Sequence, residues 1–278
     1  MASVLLNKKI FNNSVIFFMK ISVITPSYNQ GRFIEEAIQS VLMQQYEDFE
    51  HIIIDACSTD ETIEVLKKYP HLKWISEADE GQSDALNKGF KIATGDVACW
   101  LNADDFYLPE AFKKASAVLA SPSIDLVYAN NLFCDAKGNI TGKHKSHIPV
   151  KWLSVFHIFI SSETIFFRKK IIDKNILIDK SFKICMDKEF MANLLFKGYK
   201  AKYINDEFAV FRYHDSNKSL DNKHTRKIRA SEGVEIFNRY NKFLPCKLNR
   251  ENKIHLRLYI WIRQLLLFYR AFLRIISF

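Results

Sequence analysis

Between residues 20 and 131, short apolar runs alternate with stretches of helical periodicity, which confines the chain to a mostly parallel sheet with helices packed on its faces. Ile21-Ser-Val-Ile-Thr reads as the first strand. Ile34, Ala37, Ile38, Val41 and Leu42 then recur at helical spacing, and Phe49-Glu-His-Ile-Ile-Ile-Asp reads as a second strand. Ser58 with Glu61 three residues on has the pattern of a capping box, predicting a helix that ends near Tyr69, before Pro70. A strand is predicted at Leu72 to Ser76, a helix at Ser83 to Ala93 and a buried strand at Asp96 to Leu101, with Pro109 suited to the first turn of the next helix. After a strand near Asp125 to Asn131, the pattern is irregular around Gly138 and Gly142. It then predicts strand at Thr164 to Arg168, helix at Met186 to Phe196, strands at Lys200 to Ile204 and Phe208 to Tyr213, and a basic helical stretch from about Asn222.

With 278 residues, 48% of them apolar, the chain can bury one sizeable core, and one catalytic domain with an appendage is expected. The net charge of +9 is not spread evenly. Residues 218 to 278 hold 14 Lys/Arg against 4 Asp/Glu, leaving 26 basic and 27 acidic residues in everything before them. A surplus confined to the tail argues for an anionic surface at one end of the molecule and against a nucleic-acid-binding face. Five scattered cysteines without a CxxC pair suggest neither a disulfide framework nor a zinc knuckle, and a reducing cytoplasm fits them best. The eight glycines never form GxGxxG or a P-loop, which removes most support for dinucleotide oxidoreductases and P-loop kinases.

Three places carry candidate chemistry. In Trp100-Leu-Asn-Ala-Asp-Asp-Phe, two adjacent carboxylates end an apolar strand, where ligands of open α/β sheets sit. Asp104 and Asp105 could hold a divalent cation such as Mg²⁺ or Mn²⁺, or could merely cap the helix after Pro109. Asp55 ends a second apolar run and could accept hydrogen bonds from a base or ribose, or only make a turn. Thr25-Pro-Ser-Tyr-Asn follows the first strand, with Pro26 fixing its exit direction and Tyr28 offering an aromatic face.

Taken together, Thr25-Pro-Ser-Tyr-Asn, Ile54-Asp-Ala-Cys-Ser-Thr-Asp, Asp79-Glu-Gly-Gln-Ser-Asp-Ala-Leu-Asn-Lys-Gly, Thr94-Gly-Asp and Leu101-Asn-Ala-Asp-Asp, in this order and spacing, resemble the family 2 glycosyltransferases of the GT-A fold. The likeness runs on through Cys185-Met-Asp-Lys-Glu-Phe to Phe211-Arg-Tyr-His, covering about residues 20 to 220. It implies an α/β nucleotide-diphospho-sugar transferase fold: a Rossmann-like, mostly parallel sheet flanked by helices, with a C-terminal helical extension. An N-terminal extension over 1–18, a catalytic unit over 19–220 (donor half 19–131, acceptor half 132–220) and a basic region over 221–278 are expected.

By the same resemblance, Thr25, Pro26, Tyr28 and Asp55 hold the nucleotide, with Asp84 beside it. Asn102, Asp104 and Asp105 match the family's DxD-type metal and diphosphate site. Asn102 stands where many members carry Asp, which weakens one ligand but leaves two carboxylates; Ala56 replaces a frequent Gly or Asp. Asp187 falls at the general-base position, though a helix N-terminal Asp is also favoured by the macrodipole alone. His214 matches a histidine near the metal, or is a surface histidine. Ser162, Glu163 and Thr164 correspond to an acceptor-side segment. The implied reaction is metal-dependent inverting transfer from a nucleotide sugar to a glycan or lipid-linked acceptor. Two rival classes stay open: a nucleotidyltransferase, whose Gly-rich basic first loop is missing, and a catalytically silent binding or scaffold protein.

From Ile254 to Phe278 no acid occurs, and on a helix Arg263, Arg270 and Arg274 fall within about 40° of one another. Such a helix would lie in the headgroup region, burying Trp261, Leu265, Phe268 and Phe272, on the inner face of the cytoplasmic membrane; packing on protein is the alternative. Deleting residues 254 to 278 is expected to release the chain from anionic liposomes in a flotation assay, and unchanged binding removes the idea.

Overall fold

The structure, a computed structural model, describes residues 8–11, 14–17, 19–156, 160–218, 220, 222–243 and 261. Strands β1 (Lys8–Phe11) and β2 (Ser14–Phe17) form a separate antiparallel pair within the stretch expected to be an extension. The expected membrane-facing run over 254–278 lies, but for Trp261, outside the described residues. Among the described residues no helix is long and apolar enough to cross a membrane.

The main sheet has nine strands among the described residues: β3 (Ile21–Ser27), β4 (Phe49–Asp55), β5 (Lys73–Ser76), β6 (Val97–Trp100), β7 (Phe106–Tyr107), β8 (Leu126–Cys134), β9 (Ile140–His144), β10 (Phe166–Arg168) and β11 (Ala201–Arg212). Their order is β5-β4-β3-β6-β10-β8-β11-β7, with β9 on β8. β5, β4, β3 and β6 run parallel, as do β8 and β11; β10 is wedged antiparallel between β6 and β8. β7 and β9 pair antiparallel with β11 and β8.

Successive side chains of a strand face opposite sides, and both sides of this sheet are covered. Ile24, Ala98, Trp100 and Phe167 face α3 (Gln82–Ile92), α6 (Met186–Phe196) and α7 (Lys223–Tyr240). Ile21, Val23, Val97, Cys99 and Phe166 face α1 (Gly31–Leu42) and α4 (Ala111–Leu119). The continuous apolar runs of β3 and β6 follow from this double cover. Trp100 is fully buried with its ring edge-to-face against Phe90 and Phe190 at 6.0 and 5.9 Å, an arrangement that adds about 0.5–1.5 kcal/mol per pair to plain burial.

Several local expectations are corrected. Ser58 does not cap a helix: α2 (Thr62–Lys67) starts four residues later, and the Ser58 hydroxyl oxygen accepts the Asn29 N–H at 2.8 Å while its proton goes to Asp55. Pro109 precedes α4, which begins only after Glu110 adopts a left-handed φ of 64°. The two strands expected after residue 200 are one strand, β11, whose register against β8 shifts around Glu207. β7, β9 and the short α5 (Lys170–Asp173) had no periodic signal. At Asn222 the expected start holds: its side chain accepts the His224 and Thr225 N–H groups and caps α7.

Where α3 crosses β3 the backbones approach closely. A Cβ on Gly89 would lie 2.4 Å from Ile24 Cγ2. Gly89→Ala is therefore expected to lower stability by about 1–3 kcal/mol through overpacking, although Ala favours helices. Urea unfolding checks this, and an unchanged midpoint would show that the contact relaxes freely.

Candidate active site

A cleft of about 660 Å³ opens at the carboxyl ends of β3 and β6, within the size range of small-molecule sites. Pro26, Tyr28, Gln82, Asn102 and Asp104 line it together with Ser162, Lys183, Asp187, Phe211, Asn217 and Lys218.

The part after β3 is built from loops tied to one another. Beyond β3, Tyr28 is 61% exposed and leaves its ring face open. Asn29 takes a φ of 52° and accepts the Thr59 N–H at 2.8 Å, while the Gln30 and Gly31 N–H groups donate to Thr62 Oγ1 and Asp60 Oδ2. The orphan donors at the start of α1 are thus satisfied by the next loop. Asp55 is fully buried and accepts the Ser58 N–H, the Ser58 hydroxyl and the Ser76 hydroxyl. It organises the backbone leading to Ala56, which does line the cleft. Thr25 is also fully buried, and its hydroxyl pairs with His51 Nε2 at 2.8 Å, away from the cleft wall.

The acidic turn after β6 meets the end of β11. Asp105 is 1% exposed: Oδ1 accepts the Arg212 N–H at 2.9 Å and Oδ2 accepts Asn102 Nδ2 at 2.8 Å. Burial first, then the neighbouring Asp104 and Glu163, push its carboxyl well above the ordinary carboxylate range. Asp104 faces the cleft, and its Oδ2 meets His214 Nε2 at 2.9 Å and Asn217 Nδ2 at 3.1 Å. The His214 ring packs 4.4 Å from that of Phe33, with Nδ1 paired to Ser216 Oγ at 2.9 Å. Arg212 is buried between the Phe33 and Phe106 rings; its Nε donates to the Asp104 carbonyl, and it pairs with Glu36.

The Asp104 carboxylate at the cleft and the buried His214 nitrogen beside it are donor atoms that a divalent ion accepts. Among the described residues no group of three or more His, Cys, Asp and Glu converges, so a ligand's oxygens and water would complete the shell. Asp105, expected as a second ligand, lies beneath this pair with both oxygens engaged.

Asp187, which also lines the cleft, sits in the first turn of α6 and accepts the Lys188 N–H at 2.7 Å. Burial pushes its carboxyl up to about 6. The loop before it is held by α7: Glu232 accepts the N–H groups of Lys183, Ile184 and Cys185 at 2.6, 3.0 and 2.7 Å. Arg239, also on α7, bridges Asp179 and Glu189. Ser162 reaches the cleft, but Glu163 is 1% exposed behind it, its carboxyl pushed up to about 7 chiefly by burial. The Thr164 hydroxyl serves the backbone, donating to the Ser161 carbonyl.

Of the residues singled out from sequence, Pro26, Tyr28, Asn102, Asp104, Ser162 and Asp187 share the cleft, with His214 joined through Asp104. Thr25, Asp55, Asp105, Glu163 and Thr164 support it from below. Asp84 turns aside to Lys180 at 3.1 Å and Lys88 at 3.6 Å; although burial acts the other way, the Lys180 hydrogen bond and both lysine charges hold its carboxyl low. Sequence reading missed Arg212, Glu232 and Gln82, which donates to Asn102 Oδ1 at 2.8 Å. Arg212 and Gln82 had a signal, each lying inside a matched stretch, Phe211-Arg-Tyr-His and Asp79-Glu-Gly-Gln-Ser-Asp; Glu232 had none.

The model of "Glycosyl transferase family 2" matches residues 22–192. A Nostoc sp. protein described as an uncharacterized glycosyltransferase is 29% identical over 245 residues, which are 81% of this chain and 76% of that protein. The Staphylococcus aureus poly(ribitol-phosphate) beta-N-acetylglucosaminyltransferase TarS is 25% identical over 198 residues, 68% of this chain and 35% of TarS. Among solved structures, TarS in complex with UDP-GlcNAc aligns with a TM-score of 0.64 at 22% identity, covering 79% of this chain and 67% of that one. A mannosyltransferase from Pyrobaculum calidifontis in complex with GDP-Man and Mn²⁺ aligns with a TM-score of 0.62 at 20% identity, covering 81% and 65%. These two likenesses establish the GT-A fold.

Glu232→Gln keeps the shape of the side chain but can no longer accept all three N–H groups with a charged carboxylate. A loss of about 1–3 kcal/mol is expected, with hydrogen exchange at residues 183–185 rising more than elsewhere. Uniform exchange across the chain would show that Glu232 does not hold this loop.

Proposed function

Because the chain belongs to glycosyl transferase family 2, an enzyme family, we propose that it moves a sugar from a nucleoside-diphosphate donor to an acceptor hydroxyl by a single inverting displacement. The observation that carries this reading is one cleft lined both by Asp104, which is paired with His214, and by Asp187 with its raised carboxyl. The Pro26–Tyr28 loop would receive the nucleotide, its base against the open ring of Tyr28. Asp55 and Thr25 hold that loop in shape, and Asp84 anchors the start of α3 beside it. Asn102, steadied by Gln82 and Asp105, would face the donor.

Asp104 and His214 would hold a divalent cation, Mn²⁺ or Mg²⁺, which supplies positive charge opposite the diphosphate when bound. Lys183 and Lys218 add positive charge on the cleft wall. Asp187, ionised at neutral pH yet more basic than a free carboxylate, would take the proton from the acceptor hydroxyl. That oxygen bonds to the anomeric carbon as the bond from that carbon to the diphosphate breaks, and the bonding pair leaves with the diphosphate. One displacement of this kind inverts the anomeric centre. For the acceptor we infer a glycan or lipid-linked chain, entering over Ser162, with Glu163 and Thr164 shaping that turn. The basic, acid-free run over 254–278 would hold the enzyme peripherally on an anionic cytoplasmic membrane face.

The experiment is release of nucleoside diphosphate from a panel of UDP- and GDP-sugars with Mn²⁺ or Mg²⁺. Metal-dependent release from one donor is expected, falling at least about 100-fold in Asp104→Asn. Because the folded Asp187 carboxyl titrates near about 6, transfer should be full above that pH and lost as pH falls through it. Asp187→Asn should keep donor binding and abolish transfer. Metal-independent release, or full turnover by Asp187→Asn, would overturn the respective assignment.

A further inference from the structure

β8 and β11 run parallel with Phe133 directly opposite Phe211, and Tyr213, two residues on, falls on the same face. The three rings form a cluster: Phe211 to Tyr213 at 5.0 Å, Phe133 to Tyr213 at 5.3 Å and Phe133 to Phe211 edge-to-face at 6.2 Å. Arg212, between them in sequence, points to the opposite face, where it is buried against Phe33 and Phe106. The end of β11 therefore does two things at once. One face supports Asp104 and His214, and the other presents aromatic rings.

These rings are not closed over. Tyr213 is 50% exposed, Phe133 and Phe211 are half-buried, and Phe211 itself lines the cleft. On the neighbouring strand β9, the residue opposite Phe133 is Gly142. A Cβ there would already stand 3.6 Å from the Phe133 ring, so a longer side chain would lie across the ring and glycine leaves that side clear. β11, which carries Phe211, packs against the turn formed by Ser162–Thr164.

We propose that Phe133, Phe211 and Tyr213 form a stacking platform for a pyranose ring of the acceptor glycan, placed on the Ser162 side of the cleft. The reasoning rests on the transferase reading above. An acceptor hydroxyl has to reach Asp187, and this platform is a surface continuous with the same cleft wall through Phe211. The C–H groups on one face of a pyranose are electropositive and lie flat on the electron-rich face of an aromatic ring. The rings brace one another edge to face, and Tyr213 keeps half of its surface exposed. An acyclic polyol-phosphate chain has no such flat face and would gain little here.

The test is saturation-transfer NMR on the full chain with UDP and the diamagnetic Mg²⁺, using cellotetraose, maltotetraose, chitotetraose and ribitol 5-phosphate as probes. At least one tetrasaccharide is expected to bind, with transfer strongest at ring C–H protons. Its Kd should weaken about tenfold in Tyr213→Ser and similarly in Gly142→Leu, which covers the platform without removing a ring. Tyr213→Phe should bind like the wild type. Release of nucleoside diphosphate to water is followed in parallel samples that hold a UDP- or GDP-sugar in place of UDP, and should not change in these variants. Failure of all three tetrasaccharides to bind, equal binding by the wild type and Tyr213→Ser, or binding of ribitol 5-phosphate alone would overturn the platform. Absence of donor turnover in the wild type counts against the transferase reading separately, since carbohydrate binding is read without it.

Discussion

The site depends on one buried carboxyl. Asp105 accepts the Arg212 N–H from β11 and the Asn102 amide from its own turn, joining two strand ends 107 residues apart in sequence. Without that joint Asp104 and His214 would belong to unrelated loops. Burying a carboxyl is unfavourable unless its oxygens find donors, and here both do. The surrounding order follows from this: Arg212 is held between two rings, its Nε fixes the Asp104 carbonyl, and His214 is carried to within hydrogen-bonding distance of the Asp104 side chain.

A second fixed point belongs to α7. Glu232 on α7 gathers three successive backbone N–H groups just before α6, so the approach to Asp187 is set by a helix some 45 residues further along the chain. Arg239 and Tyr240 extend the tie to Glu189 on α6. The stretch read from sequence only as basic and helical therefore has two parts. Its described portion, α7, supports the 183–185 loop from behind the cleft, with Ile236, Phe237 and Tyr240 buried in the main core.

Much of the sheet was legible because its signals are local. β4 and α6 fall on the residues that periodicity assigned, since an apolar run bounded by a polar turn, or apolar residues at helical spacing, needs no distant partner to be recognised. Where local chemistry had two outlets the reading failed. Ser58 could cap a helix or tie neighbouring loops together, and it does the second: its hydroxyl accepts the Asn29 N–H and donates to the buried Asp55, partners that only the folded sheet brings near. β7 and β9 are too short or too exposed to carry a pattern, and exist as partners of β11 and β8.

The sequence by itself determined the α/β class, the family and a set of strand-end residues, because motif order and hydrophobic period are properties of the chain. The tertiary structure alone decided which of those residues share a surface. Asp104, Asn102 and Asp187 reach the cleft, whereas Asp105, Asp55 and Thr25, no less prominent in sequence, lie beneath it as supports. The physical reason is desolvation. A carboxylate at a strand end either faces solvent and ligand or turns inward to satisfy backbone donors. Which of the two occurs is set by groups such as the Arg212 and Ser58 N–H, whose positions exist only once the sheet has closed.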